Sequence, residues 1–105
     1  MIKNTEYTAL VLVRRESFYE WLQMAVHQSG EESESTFEGD YGTYLVKGVI
    51  TPEDVYAFLQ SGYREIFENE LSQWYDRAFW PHELTPELFL EFFEVQVHRQ
   101  VYHAG

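Results

Sequence analysis

Apolar residues recur every three or four positions in the middle of the chain: Val55, Phe58, Leu59, Tyr63, Ile66, Phe67, Leu71, Trp74 and Ala78. That spacing predicts helix, and residues 51–81 form the longest helical signal present. Thr51-Pro52-Glu53-Asp54 makes a good start. Threonine caps a free backbone N–H, proline suits the first helical position, and two acids meet the positive helix end. At about 100° per residue, the apolar positions from Val55 to Ile66 gather round one direction, and those from Phe67 to Ala78 sit roughly 90° further round. A straight helix cannot point both groups at one core. Two helices or one bent helix are therefore expected, jointed at Ser61-Gly62, because glycine weakens a helix interior by about 1 kcal/mol relative to alanine. The polar side carries Arg64, Glu65, Glu68, Asn69, Gln73, Asp76 and Arg77, with Arg64 and Glu68 spaced for weak pairing across one turn.

Earlier in the chain, residues 6–13 read as a strand that is apolar on both faces, hence central with helices over it. Ser17 and Glu20 have capping-box spacing, and Phe18, Trp21, Leu22, Ala25 and Val26 follow an amphipathic helical pattern up to Gly30. Residues 28–41 are polar and rich in Ser and Glu, which predicts an exposed acidic loop, with Thr36-Phe37-Glu38 as a short extra strand. Residues 42–49 alternate, with Tyr44 and Val46 on one face and Leu45 on the other. After Trp80-Pro81 the chain must turn, and Thr85-Pro86-Glu87 starts a short helix through Leu88, Phe89 and Phe92. From Phe93 the period changes to two, predicting a terminal strand over residues 94–102. The order β-α-β-α-α-α-β points to one α+β (or small α/β) domain over residues 1–105. Its expected form is a three-stranded, at least partly parallel sheet covered by helices.

Composition narrows the function classes. With no cysteine there is no disulfide frame, thiolate chemistry or cysteine zinc site, which fits a reducing cytoplasm. The apolar run Ala9–Val13 is too short for a signal peptide, and no run approaches a membrane span. Seven basic against eighteen acidic residues give a net charge of −11, which argues against nucleic acid and anionic membranes as partners. The same charge suits a basic protein partner drawn in by electrostatic steering, or simply a host with a salty cytoplasm.

The usual catalytic and phosphate-binding motifs are missing, so no catalytic, cofactor-binding or metal residue is assigned. The acidic loop lacks the Asp-x-Asp-x-Asp-Gly spacing of a calcium site. His98 and His103 are five apart on a predicted strand and should point to opposite faces. The expected role is a non-enzymatic interaction module that binds a basic protein through an acidic face. Its candidate contacts are Glu65, Glu68 and Asp76, with Glu31, Glu32 and Glu34 of the loop. The alternative is a small-ligand site or enzyme at the Trp80–Glu83 turn, using His82. The aromatic patch of Trp74, Tyr75, Phe79 and Trp80 is expected to lock the turn to the helix, or else to serve a partner or a homodimer. Tyr75 falls off the apolar stripe and is its most exposed member by this reading.

The C-terminal half resembles a family of small uncharacterised bacterial proteins. The pattern is a Phe-Glu-x-Glu-Leu-x-x-Trp helix, a Trp-Pro turn, and a paired-aromatic helix running into a valine-alternating strand. Here those positions are Phe67, Glu68, Glu70, Leu71, Trp74, Trp80, Pro81, Phe92, Phe93, Val95 and Val97. His82-Glu83-Leu84 departs from the polar turn ending in Arg that the family pattern implies. The resemblance implies a fold and carries no activity. The layout and acidity also resemble the barstar type of ribonuclease inhibitor, in architecture only.

Overall fold

A computed structural model describes residues 1–30, 40–48 and 51–105. The expected strand at Thr36–Glu38 and the loop acids Glu31, Glu32 and Glu34 lie outside the described residues. The elements are β1 (Ile2–Asn4), β2 (Tyr7–Arg14), α1 (Glu16–Ser29), β3 (Thr43–Lys47), α2 (Pro52–Ser72), a 3-10 turn (Arg77–Phe79), α3 (Pro86–Phe92), β4 (Phe93–His98) and β5 (Tyr102–Ala104). Among the described residues the fold is mixed α+β with three helices and two sheets.

Both sheets are antiparallel throughout, which corrects the partly parallel sheet that the element order suggested. Strand order is β3-β2-β4 in one sheet and β1-β5 in the other. Tyr7 pairs with Lys47 and Val11 with Thr43, so the chain re-enters the sheet at the end from which α1 left it. A parallel β3 would have required entry at the opposite end. The terminal strand divides into β4 and β5. Residues 5–8 lie opposite residues 99–101 between the pairs Asn4–Tyr102 and Ala9–His98, one extra residue on the N-terminal side, as in a β-bulge. Thr5 fills the gap, donating to the Val101 carbonyl from both its backbone N–H (3.0 Å) and its hydroxyl (2.7 Å). His98 and His103 accordingly sit on different strands rather than on one.

Strand β2 is central, as its two apolar faces predict, but the helices pack on one face. Leu10 and Leu12 are fully buried beneath them, with Val95 of β4 and Tyr44 of β3 alongside. On the other face Tyr7 remains 41% exposed, and Leu45, the cross-strand partner of Ala9, 58% exposed. Ala9 is buried there by the flanking strands rather than by a second helical layer.

Helix α2 begins with the predicted cap. The Thr51 hydroxyl accepts from the Asp54 N–H, and the Asp54 carboxylate accepts from the Thr51 N–H. It then runs unbroken through Gly62, so the expected break into two helices is absent. The two apolar directions are real, but they meet two adjacent clusters. Val55 joins Leu10, whereas Ile66, Phe67 and Leu71 join the cluster of α1 and α3. The helix also ends at Ser72, which leaves Trp74 and Ala78 outside it. Beside Gly62 the Phe58 ring lies close enough to touch an added Cβ, so the glycine is packed rather than a hinge.

Helix α1 starts at Glu16 with Arg15 as N-cap and no side-chain cap, so Ser17 lies within the first turn rather than capping it. The Arg15 N–H is tied to the Phe92 carbonyl at 2.8 Å, which sets the entry one residue earlier than the Ser17 box required. Gly30 closes the helix at φ 74°, as its position predicted. Phe18 stands at the centre of the core, its ring meeting Trp21, Trp74, Phe92 and Phe93 with centroids 5.5–6.0 Å apart.

Candidate functional site

The Trp80 turn is held by bonds within the chain. Trp21 Nε1 donates to the Phe79 carbonyl and Trp80 Nε1 to the Tyr75 carbonyl, both at 2.9 Å. Tyr75 is half-buried, edge-on to Trp21 and Phe79, not the exposed member of the patch. The reason is that Tyr75 follows the end of α2, where the helical wheel that set it off the stripe no longer applies. Asp76 caps the 3-10 turn by accepting from the Ala78 N–H at 3.0 Å. His82 is exposed in the following turn.

Of the predicted acids, Glu65 is exposed on α2, while Glu68 is half-buried between two cations. Its carboxylate lies 3.2 Å from Arg64 and 3.8 Å from Arg77, and the Arg77 guanidinium covers the Trp80 ring at 5.3 Å. Arg77 thus links Glu68 to the aromatic turn. Glu65 and His82 stay apart from that linkage.

A concave feature lies elsewhere, between the N-terminal end of β3 and the C-terminal end of α2. It is a cleft of about 340 Å³ lined by Arg14, Asp40, Tyr41, Gly42, Tyr44, Asn69, Glu70, Gln73 and Trp74 among others. None of the residues Trp80–Glu83 lines it. Glu70 is its key side chain. On α2 it falls between Ile66, Phe67 and Leu71, in the middle of the buried arc, and it is only 5% exposed. Strand alternation turns Tyr44 inward to meet it, and the Tyr44 hydroxyl donates to Glu70 Oε2 at 2.5 Å. Asn69 Nδ2 donates to the same hydroxyl at 2.9 Å. Gly42 makes the approach feasible, since a Cβ there would overlap the Glu70 carboxylate.

Arg14 completes the wall. It extends β2 on the helical side, and its guanidinium lies 5.7, 5.4 and 5.3 Å from the rings of Phe18, Tyr41 and Trp74. Its Nη2 donates to the Asp40 carbonyl at 2.8 Å. Burial raises the Glu70 carboxyl above the usual carboxylate range, against the opposing pull of the Tyr44 hydrogen bond and the Arg14 charge. Burial and the Glu70 carboxylate together push the Tyr44 phenol up, partly offset by the bond from Asn69. A tyrosine donating to a buried carboxylate is a charge-assisted bond that ties the sheet edge to α2.

Sequence reasoning missed this constellation. Glu70 entered only as a motif position, Trp74 as part of the helical stripe and aromatic patch, Tyr44 only as a strand residue, and Arg14 was given no role. The available signal was a carboxylate inside an apolar arc, where a charge needs a partner.

Among the described residues no three His, Asp or Glu side chains gather to hold a metal ion, and no helix is long and apolar enough to cross a membrane. No protein-family model matches the chain, and no curated protein or solved structure is significantly similar to it.

Proposed function

We propose that the protein is a non-enzymatic interaction module whose helical layer presents an acidic face to a basic protein. The observation that carries this reading is how charge is divided among the elements. Helices α2 and α3 hold Glu53, Asp54, Glu65, Glu68, Glu70, Glu87 and Glu91 against the single base Arg64. Most of these acids are exposed. Of the other bases, Lys3, Arg14 and Lys47 lie on strands and Arg99 follows β4, while Arg15 caps α1 and Arg77 sits in the 3-10 turn beside Glu68. Such a predominantly acidic surface accelerates encounter with an oppositely charged partner and repels acidic ones.

Glu65 is the contact expected to matter most, because it is exposed on the acidic arc. Glu68 contributes less net charge, being shared between Arg64 and Arg77. The test is capture of a partner from the native host's lysate, followed by association with it at low and high salt for the native protein and for Glu65→Lys. Binding that weakens steeply with salt and associates more slowly after charge reversal supports the reading. An affinity indifferent to both removes it.

A further inference from the structure

The acidic face does not use the cleft beside Tyr44 and Glu70, and the chemistry of that cleft points to a ligand of its own. Its hydrogen bonds leave particular acceptors open. The Tyr44 hydroxyl gives its proton to Glu70 Oε2, so Asn69 must direct its amide N–H toward Tyr44. Gln73 Nε2 is likewise used, donating to the Asn69 backbone carbonyl at 3.2 Å. The Thr43 hydroxyl donates to the Tyr41 carbonyl at 3.4 Å. These bonds use the Tyr44 and Thr43 hydroxyls and one N–H each of the Asn69 and Gln73 amides. They leave Glu70 Oε1 and the side-chain carbonyls of Asn69 and Gln73 as acceptors to which the described residues make no hydrogen bond. Glu70 is the telling member, because a carboxylate only 5% exposed normally has its oxygens satisfied, and this one lines an open cleft.

Charge and shape narrow the class further. The cleft is lined by two acidic residues, Glu70 and Asp40, and one basic residue, Arg14, in a chain of net charge −11. The rings of Tyr41, Tyr44 and Trp74 supply an apolar flank. An anion would meet the buried Glu70 carboxylate, and only an N–H or O–H donor can complete Glu70 Oε1. We infer that the cleft binds a small organic cation rich in N–H donors, a primary amine or a guanidine, with its donors on Glu70 Oε1 and the carbonyls of Asn69 and Gln73. The aliphatic or planar body of such a ligand would lie along the aromatic flank.

The experiment is a two-dimensional amide NMR titration of the full chain with agmatine and n-butylamine. Tetramethylammonium, a cation without an N–H, and butyrate serve as controls. The expected result is saturable movement of the Tyr44, Asn69, Glu70 and Gln73 signals with agmatine or butylamine and none with either control. Glu70→Gln, which replaces the free acceptor and its charge, should weaken binding by about 10- to 100-fold. Gln73→Lys changes an exposed residue at the C-terminal cap of α2, where a cation suits the helix end. It should abolish binding without disturbing the fold. No movement with either amine overturns the inference, as do equal movement with tetramethylammonium and full affinity in a folded Gln73→Lys protein. None of these outcomes bears on the acidic face, which Glu65→Lys tests separately.

Discussion

The Trp80 turn and the Glu70 cleft are built from similar materials and end in opposite states. Each combines aromatic rings, a carboxylate and an arginine laid over a ring. In the turn, both indole N–H groups find carbonyls, Asp76 caps a 3-10 turn, and Glu68 is shared by two arginines. Its groups are directed inward, and the patch closes the end of α2 onto α1. In the cleft, the same kind of network stops one group short, with a buried carboxylate bonded through one oxygen beside an open cleft. An aromatic patch therefore marks a site less reliably than the bonding state of the polar atoms within it.

The two regions share one ring, and removing it gives the largest effect. Phe18 touches Trp21 on the turn side and Trp74 and Arg14 on the cleft side. Phe18→Ala should lower stability by about 3–5 kcal/mol in urea unfolding, through the lost burial and the cavity left behind. It should also perturb signals from both regions. A loss confined to one side would show that the regions are independently packed.

Trp21→Phe acts on the turn alone. It keeps most of the aromatic surface but leaves the Phe79 carbonyl without its donor, an expected loss of about 1–3 kcal/mol. The Tyr44 and Glu70 amide signals should stay in place. If they move, the contrast between a closed and an open region is too sharply drawn.

The cleft responds to pH instead. Folding raises the Glu70 carboxyl, so between its ordinary and its raised value the folded chain binds more protons than the unfolded one. Stability should fall as pH rises through that window and level off above it. Tyr44 adds a second fall as pH climbs past the ordinary tyrosine value of about 10, because its folded phenol keeps the proton longer. Unfolding midpoints measured across pH should show the first slope vanish in Glu70→Gln and the second in Tyr44→Phe. Slopes identical to the native protein's would mean that neither group is perturbed by folding.

A surface position sets the lower bound. Glu65→Ala removes an exposed charge and should change stability by no more than about 0.5 kcal/mol while still affecting association. A larger loss would place Glu65 in the fold rather than on a free face.

Local chemistry was legible wherever it depends on neighbours in sequence. The Thr51 and Thr85 caps, the Gly30 terminus, the buried face of Phe18, Trp21, Leu22 and Ala25, and the period change at Phe93 all follow from spacing along one element. Ser17 failed because a tertiary bond from Arg15 to Phe92 outweighed a local box. The break at Gly62 failed for a related reason. Periodicity reported two directions correctly, but it cannot say whether the helix bends or whether two clusters await it.

Strand direction, the bulge opposite Arg99–Val101 and the open face of β2 depend on where distant segments meet. So does the cleft, which needs Arg14 from β2, Tyr44 from β3 and Glu70 from α2 in one place. By itself the chain's sequence determined its helices, its central strand and its acidity, because each is a property of residues close together or of their sum. Tertiary structure alone decided which carboxylate is buried, which donor reaches it and which oxygen is left to the cleft. Those depend on long-range contacts that no local pattern encodes.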